Sequence, residues 1–194
     1  AAGAPASVAL TEEDGNWRLQ EISATAVATG DALILSGTKC FVLDARQAQV
    51  VVASVMLEGA ARLIAIHADQ IPSGALAREV VIDETRRSYT LQLDGISVPQ
   101  SQLLDGADFA ALEQAAMLLL VAEMSGGLAG VLHVIIDYLT TRKQFDQYIG
   151  SYQSLKHPSV QILLSLEACR SHLYHAATVM AAGDTDAAEE AVRM

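Results

Sequence analysis

Aromatic side chains are scarce: Phe, Tyr and Trp make up 5% of the 194 residues, with a single Trp. A core of stacked rings is excluded, so Ala, Val, Leu and Ile must fill the interior. Cations are also few, 12 Lys and Arg against 23 Asp and Glu, giving a net charge of −11 and a pI near 4.7. A nucleic-acid partner needs clustered Lys and Arg, and an anionic membrane surface attracts the same groups, so neither suits this chain. Two cysteines, Cys40 and Cys169, are too few for a disulfide framework. One bridge between them stays open, and a reduced, cytoplasmic chain is the reading adopted. The N-terminus, AAGAPASVALTEEDG, has neither the basic start nor the apolar run of a signal peptide. It also has no initiator Met, which fits an internal fragment.

Apolar residues are abundant, at 52%, and much of this is Ala, a strong helix former. Residues 115–139, AAMLLLVAEMSGGLAGVLHVIIDYL, are apolar enough to be scanned as a membrane span. Glu123, His133 and Asp137 lie inside that stretch, and a carboxylate within lipid is costly. A buried helix of a large bundle explains the composition without that cost, so no membrane span is expected.

The chain changes period near Pro99. Before it, short runs read as strands at 6–11, 18–27, 31–36, 38–43, 49–56, 62–67, 77–83 and 88–94. Alternation is clearest from Tyr89 to Asp94 and from Leu33 to Leu35, and glycines fall between the runs. After it, residues 107–140 and 151–182 carry long Ala/Leu-rich helical patterns. Asp105 or Asp108 can cap the first, Gly183 can stop the second, and a third helix starts near Asp184 or Thr185. The expected fold class is α+β: an antiparallel β-barrel or sandwich (1–102), followed by an incomplete antiparallel helical bundle (103–194).

Two long helices alone leave apolar stripes uncovered. Val121, Leu128, Leu132 and Ile135 form one face; Ala122, Ala129, Val131 and Ile136 suggest another. Such a helix expects neighbours on more than one side, from its own chain or from a partner. Pro158 interrupts the second pattern, by a kink or by a fresh helix starting there. The helical spacing of Tyr152, Leu155 and Val160 favours the kink.

The junction of the helices reads RKQFDQYIGSYQSLKH, residues 142–157. This run resembles the acyl-CoA dehydrogenase family, whose third domain carries Arg-x-x-Phe-Gly followed by Ile-x-x-(Phe/Tyr)-Gln between its first two long helices. The resemblance extends over nearly the whole chain. Ala9-Leu10-Thr11-Glu12 is similar to the family's Thr-Glu strand end, Gly37 to Leu43 to its Gly-x-Lys-x-Trp-Ile-Thr strand, and 83–99 to the end of its middle barrel.

The resemblance implies a middle β domain and the first part of a C-terminal helical domain. It also implies FAD as cofactor, an acyl-CoA substrate, and an electron-transfer flavoprotein or similar acceptor. The assembly would be a dimer or tetramer, or a hetero-oligomer, and the setting lipid metabolism by fatty acid β-oxidation. Arg142 would grip the flavin pyrophosphate, with Gln144 and Gln153 as hydrogen-bonding amides and Phe145 and Ile149 as contacts to the neighbouring subunit's flavin. Leu10 and Thr11 would meet the flavin ring, Phe41 would stack on it, and Leu43 would stand beside it.

Each of these positions has an ordinary structural role as well. Arg142 could counter a helix dipole, Phe41 could be core, and Gln144 and Gln153 could be surface amides. The family reaction removes two hydrogens from an acyl-CoA thioester, a glutamate taking the α-proton while hydride leaves to flavin N5. The helical position of that base falls on Ala116, which cannot abstract a proton. Glu113 and Glu123 lie about a turn before it and two turns after it, so no catalytic residue is assigned.

Several positions depart from the family pattern. Leu43 replaces a threonine, Asp146 a glycine, and Met117 a supporting arginine; the Gly-Ser-Asp element after Glu12 is missing, the chain reading Glu13-Asp14-Gly15-Asn16-Trp17. These losses raise an alternative: a non-catalytic or half-site subunit of a heteromeric, steroid-type acyl-CoA dehydrogenase. Cys169, His172 and His175 share a helix but lack a second ligand element, so no metal is assigned. SGGLAG at 125–130 has no preceding strand and is read as a close-contact stripe.

Overall fold

The computed structural model describes residues 3–16, 18–106, 109–183, 187, 188, 190 and 191. The chain divides into two compact units, Ala1–Phe109 and Ala110–Met194. Trp17, Asp108, Asp184, Thr185, Asp186 and Glu189 lie outside the described residues.

The first unit holds ten strands: β1 (Ala6–Ala9), β2 (Thr25–Thr29), β3 (Ala32–Ser36), β4 (Thr38–Leu43), β5 (Val50–Leu57), β6 (Ala60–His67), β7 (Leu76–Arg78), β8 (Ser88–Gln92), β9 (Ser97–Pro99) and β10 (Leu103–Leu104). They form a seven-stranded sheet in the order β10-β6-β5-β2-β3-β9, with β1 also on β5, and a three-stranded sheet β4-β8-β7. Leu33 and Leu35 from the large sheet meet Val42, Tyr89 and Leu91 from the small one in one core. The alternation read from Tyr89 to Asp94 is realised, because Tyr89, Leu91 and Leu93 are buried while Gln92 and Asp94 are exposed.

The α+β class stands, with three local corrections. The large sheet is mixed rather than antiparallel, since β1 and β2 both run parallel to β5, and no barrel closes among the described residues. The strand expected over 18–27 is ordered as a ladder only from Thr25, because the Glu12 carboxylate takes the N–H groups of Ser23 and Ala24. The strand expected over 77–83 ends at Arg78; beyond it Asp83 accepts the Thr85 N–H in a local turn that competes with sheet pairing.

The second unit contains helix α1 (Phe109–Thr141), a hairpin of β11 (Lys143–Gln144) and β12 (Gln147–Tyr148), a 3-10 turn Ile149–Ser151 and helix α2 (Gln153–Ala182). The α2 helix runs continuously through Pro158 and ends where Gly183 takes φ 77. The Ser159 hydroxyl donates to the Leu155 carbonyl beside the proline. Residues 187, 188, 190 and 191 are helical.

α1 and α2 are antiparallel, Leu139 lying near Val160 at one end and Val121 near Leu173 at the other. On the first face Leu132 is buried and Val121, Leu128 and Ile135 are half-buried, while Val131 and Ile136 of the second face are open. A buried α1 was expected. Instead, its most apolar stretch (mean hydropathy 1.9) is only 11% buried by this chain, and the helix is long and apolar enough to cross a membrane. Gly126, Gly127 and Gly130 likewise have no atom within 4 Å of an added Cβ, so the stripe makes no close contact among the described residues.

Candidate functional site

The site residues read from the sequence fall into two clusters, one in each unit. In the first, an isolated bridge joins Thr11 to Cys40, and the Cys40 N–H donates to the Thr11 carbonyl at 2.9 Å. Leu10 and Thr11 thus lie beside the middle of β4. The Ser7 hydroxyl donates to the Leu43 carbonyl further along the same pair of segments. Phe41 and Leu43 both point outwards, 54% and 42% exposed.

This exposure depends on a bulge. Lys39 and Val42 are both buried although three residues apart, which a regular strand of period two does not allow. Their partners Leu91 and Tyr89 are only two apart, so the pair Cys40-Phe41 stands opposite Thr90 alone. Phe41 takes φ 57, a left-handed conformation that costs a bulky residue about 1–3 kcal/mol.

Behind this surface lies a buried ion pair, whose lysine stands at the Lys of the Gly-x-Lys pattern. Lys39 is fully buried, with Nζ 2.7 Å from Glu12 Oε1 and 3.0 Å from Ser54 Oγ. Glu12 also accepts the Ser23 hydroxyl and the N–H groups of Ser23 at 2.9 Å and Ala24 at 3.0 Å. Burial alone would raise the Glu12 pKa. Lys39, the Ser23 hydroxyl and the two N–H donors override it and bring the pKa to about 2. Burial pushes the Lys39 pKa down, against the pull of the Glu12 carboxylate. The available signal was a lone Lys in an apolar strand; its partner, 27 positions away, has no local signature.

In the second unit, Arg142, Gln144, Phe145, Ile149 and Gln153 gather at the corner between α1 and α2. The Ile149 N–H donates to the Arg142 carbonyl at 2.9 Å, and the Tyr152 hydroxyl to the Gln144 carbonyl at 3.0 Å. Gln144 pairs with Gln147, so Phe145 and Asp146 form a two-residue turn with φ 53 and 63. Positive φ at both central positions is the type I′ requirement, which glycine meets without strain and aspartate better than most residues. The family glycine at 146 therefore has a conformational reason, independent of charge. Phe145, at the tip, is 89% exposed.

Gly150 packs against the end of α1, where an added Cβ would lie 2.8 Å from the Leu139 carbonyl oxygen. This fixes the approach of the corner to the helix. Among the described residues the exposed Arg142 guanidinium has no side-chain partner. Gln153 is the first residue of α2, and Tyr152 before it makes no side-chain cap; the Tyr152 and Leu155 N–H groups donate to the Ile149 and Tyr152 carbonyls, which leaves those of Gln153 and Ser154 open among the described residues. One cation, two amides and a helix N-terminus make a donor set suited to a phosphate ester.

At the base position, Ala116 is exposed on α1, Glu113 is half-buried and Glu123 exposed. Met117 is 38% exposed.

Residues 111–194 match the family described as acyl-CoA dehydrogenase, C-terminal domain. Over 198 residues the chain is 29% identical to acyl-CoA dehydrogenase fadE12 of Mycobacterium tuberculosis (strain CDC 1551 / Oshkosh), covering 96% of this chain and 51% of that protein. The chain belongs to the acyl-CoA dehydrogenase family. Within it, glutaryl-CoA dehydrogenase of Desulfococcus multivorans is 29% identical over 181 residues, 87% of this chain and 46% of that one. The solved glutaryl-CoA dehydrogenase from Mycobacterium smegmatis in complex with FADH2 shares the fold, with a TM-score of 0.79 at 20% identity, covering 91% of this chain and 47% of that one. The chain spans about half the length of the curated relatives it matches.

Proposed function

We propose that the protein carrying this chain is a cytoplasmic, oligomeric FAD-dependent acyl-CoA dehydrogenase that removes two hydrogens across Cα and Cβ of an acyl-CoA thioester. Its electrons pass to an electron-transfer flavoprotein or similar acceptor, within fatty acid β-oxidation. The observation that carries this reading is the exposed Arg142 guanidinium, without a side-chain partner among the described residues, at the corner between the helices of a chain of this family.

The residues present fit FAD. Arg142 would take the pyrophosphate in a bidentate grip, with Gln144 and Gln153 donating beside it. The first unit, taken by itself, would meet a flavin ring system separately from the corner, which would grip a neighbouring subunit's flavin: Thr11 would donate to the ring, and the outward Phe41 ring would cover it and exclude water. When bound, FAD supplies the acceptor for the hydride lost from Cβ. The α-proton needs a carboxylate held in a dry pocket, and with alanine at 116 no residue of this chain is assigned that role.

Anaerobic addition of acyl-CoA thioesters to the purified protein tests the reaction. The flavin absorption should bleach; a bound flavin that stays oxidised with short, medium, long and steroid-type thioesters would contradict it. The Ala116 methyl, with Leu43 and Met117, favours one second reading: a half-site subunit completing the active site of a homologous chain. That reading predicts bleaching only after mixing with the homologue.

A further inference from the structure

We propose that Glu79 is a positioning residue for the flavin face, its carboxylate fastening the β4 bulge that turns Phe41 outwards. The inference rests on the reading of Phe41 as a flavin-facing residue. Glu79 follows β7, 38 positions from Phe41, and no motif in the sequence links them. In the bulge Phe41 and Cys40 share one opposing residue, Thr90. Glu79 Oε1 accepts both the Phe41 N–H at 3.1 Å and the Thr90 hydroxyl at 2.8 Å. Oε2 accepts the hydroxyl of Ser88, the residue opposite Leu43, at 2.6 Å. One carboxylate therefore ties both strands together at the extra residue.

The clamp is itself held in place. The Glu79 N–H donates to the Ser88 carbonyl at 3.0 Å, and Arg78 donates to the Ser88 and Arg86 carbonyls at 2.9 Å each. Burial works against the charge, but the Ser88 hydroxyl, the Phe41 N–H and the Thr90 hydroxyl, with Arg78, hold the Glu79 carboxyl below the usual range. It stays anionic at neutral pH, as a three-donor acceptor must.

The need for a clamp follows from Phe41 itself. Its left-handed φ suits glycine or asparagine, and a phenylalanine leaves that conformation unless its surroundings enforce it. Without the bulge, the two-residue period would break the simultaneous burial of Lys39 and Val42 and turn the outer residues away. Glu79 thus governs where the ring lies through its bonds to Phe41, Thr90 and Ser88.

The test compares Glu79→Ala and Glu79→Gln, alone and in a Phe41→Gly background, in the full-length protein. Denaturation midpoints, flavin absorption, reduction potential and steady-state rates are read for each. Glu79→Ala should remain folded and retain flavin, shift its absorption bands and potential, and lower kcat roughly tenfold with little change in KM. Glu79→Gln, which keeps one acceptor oxygen, should fall between Glu79→Ala and wild type. In the Phe41→Gly background, where φ is unstrained and no ring is left to place, removing Glu79 should lower the denaturation midpoint less than in wild type and have little further effect on absorption, potential or kcat. Wild-type spectrum, potential and kcat in Glu79→Ala, or effects of the two substitutions that simply add, would overturn the proposal. If the wild-type protein binds no flavin, the flavin reading fails by itself. The coupling between Glu79 and position 41 in the denaturation midpoints still decides whether the clamp exists.

Discussion

Among the described residues, the fully buried Lys39 ammonium has the Glu12 carboxylate and one serine hydroxyl as its hydrogen-bond partners. A buried ion pair adds little over an apolar pair, but removing one partner strands the other. The two partners are not equivalent here. Without Lys39, Glu12 still accepts from Ser23 and Ala24; without Glu12, an ammonium and two N–H groups lose their acceptor. Glu12→Leu should therefore destabilise by about 3–5 kcal/mol and Lys39→Met by distinctly less, both measured by chemical denaturation. Acid should act through the same carboxylate. A pKa lowered from 4.5 to about 2 contributes stability that is full above 4.5 and lost as pH falls towards 2. Glu12→Gln should flatten stability against pH across that window, which thermal melts at a series of pH values will show.

Elements were legible in proportion to how local their causes are. Gly183 ends α2 as its position suggested, because a left-handed cap is a property of one residue. The ladder of Ser97–Pro99 on Ala32–Ile34 was missed, as it depends on a partner more than sixty residues away and carries too few residues for a pattern. The corner between the helices was readable as a motif, while its geometry was not. Phe145-Asp146 is a poor sequence for a turn needing two positive φ values, and the flanking hydrogen bonds hold it there. Asp146→Gly should then stabilise the second unit by about 1 kcal/mol in denaturation. Gly150→Ala should do the reverse by about 1–3 kcal/mol, since its Cβ would meet the Leu139 carbonyl at 2.8 Å.

At the scale of the molecule, the helical unit leaves Leu119, Met124 and Val134 of α1 at least 65% exposed. Large apolar side chains this exposed on a helix call for cover from other protein. Sedimentation should accordingly find the protein as a dimer or larger assembly at micromolar concentration; a stable monomer would contradict the oligomeric reading. The composition foretold this incompleteness, since a helix greasy on two faces can satisfy only one within a hairpin.

Arg142 joins these scales, because one side chain at a helix corner is proposed to hold a dinucleotide across an assembly. The FAD dissociation constant of Arg142→Ala against wild type measures this directly. Loss of a charge-assisted grip worth about 1.5–3 kcal/mol should weaken binding roughly 10–100-fold, with the denaturation midpoint of the flavin-free protein unchanged. An Arg142→Ala protein that binds FAD as tightly as wild type would contradict the account.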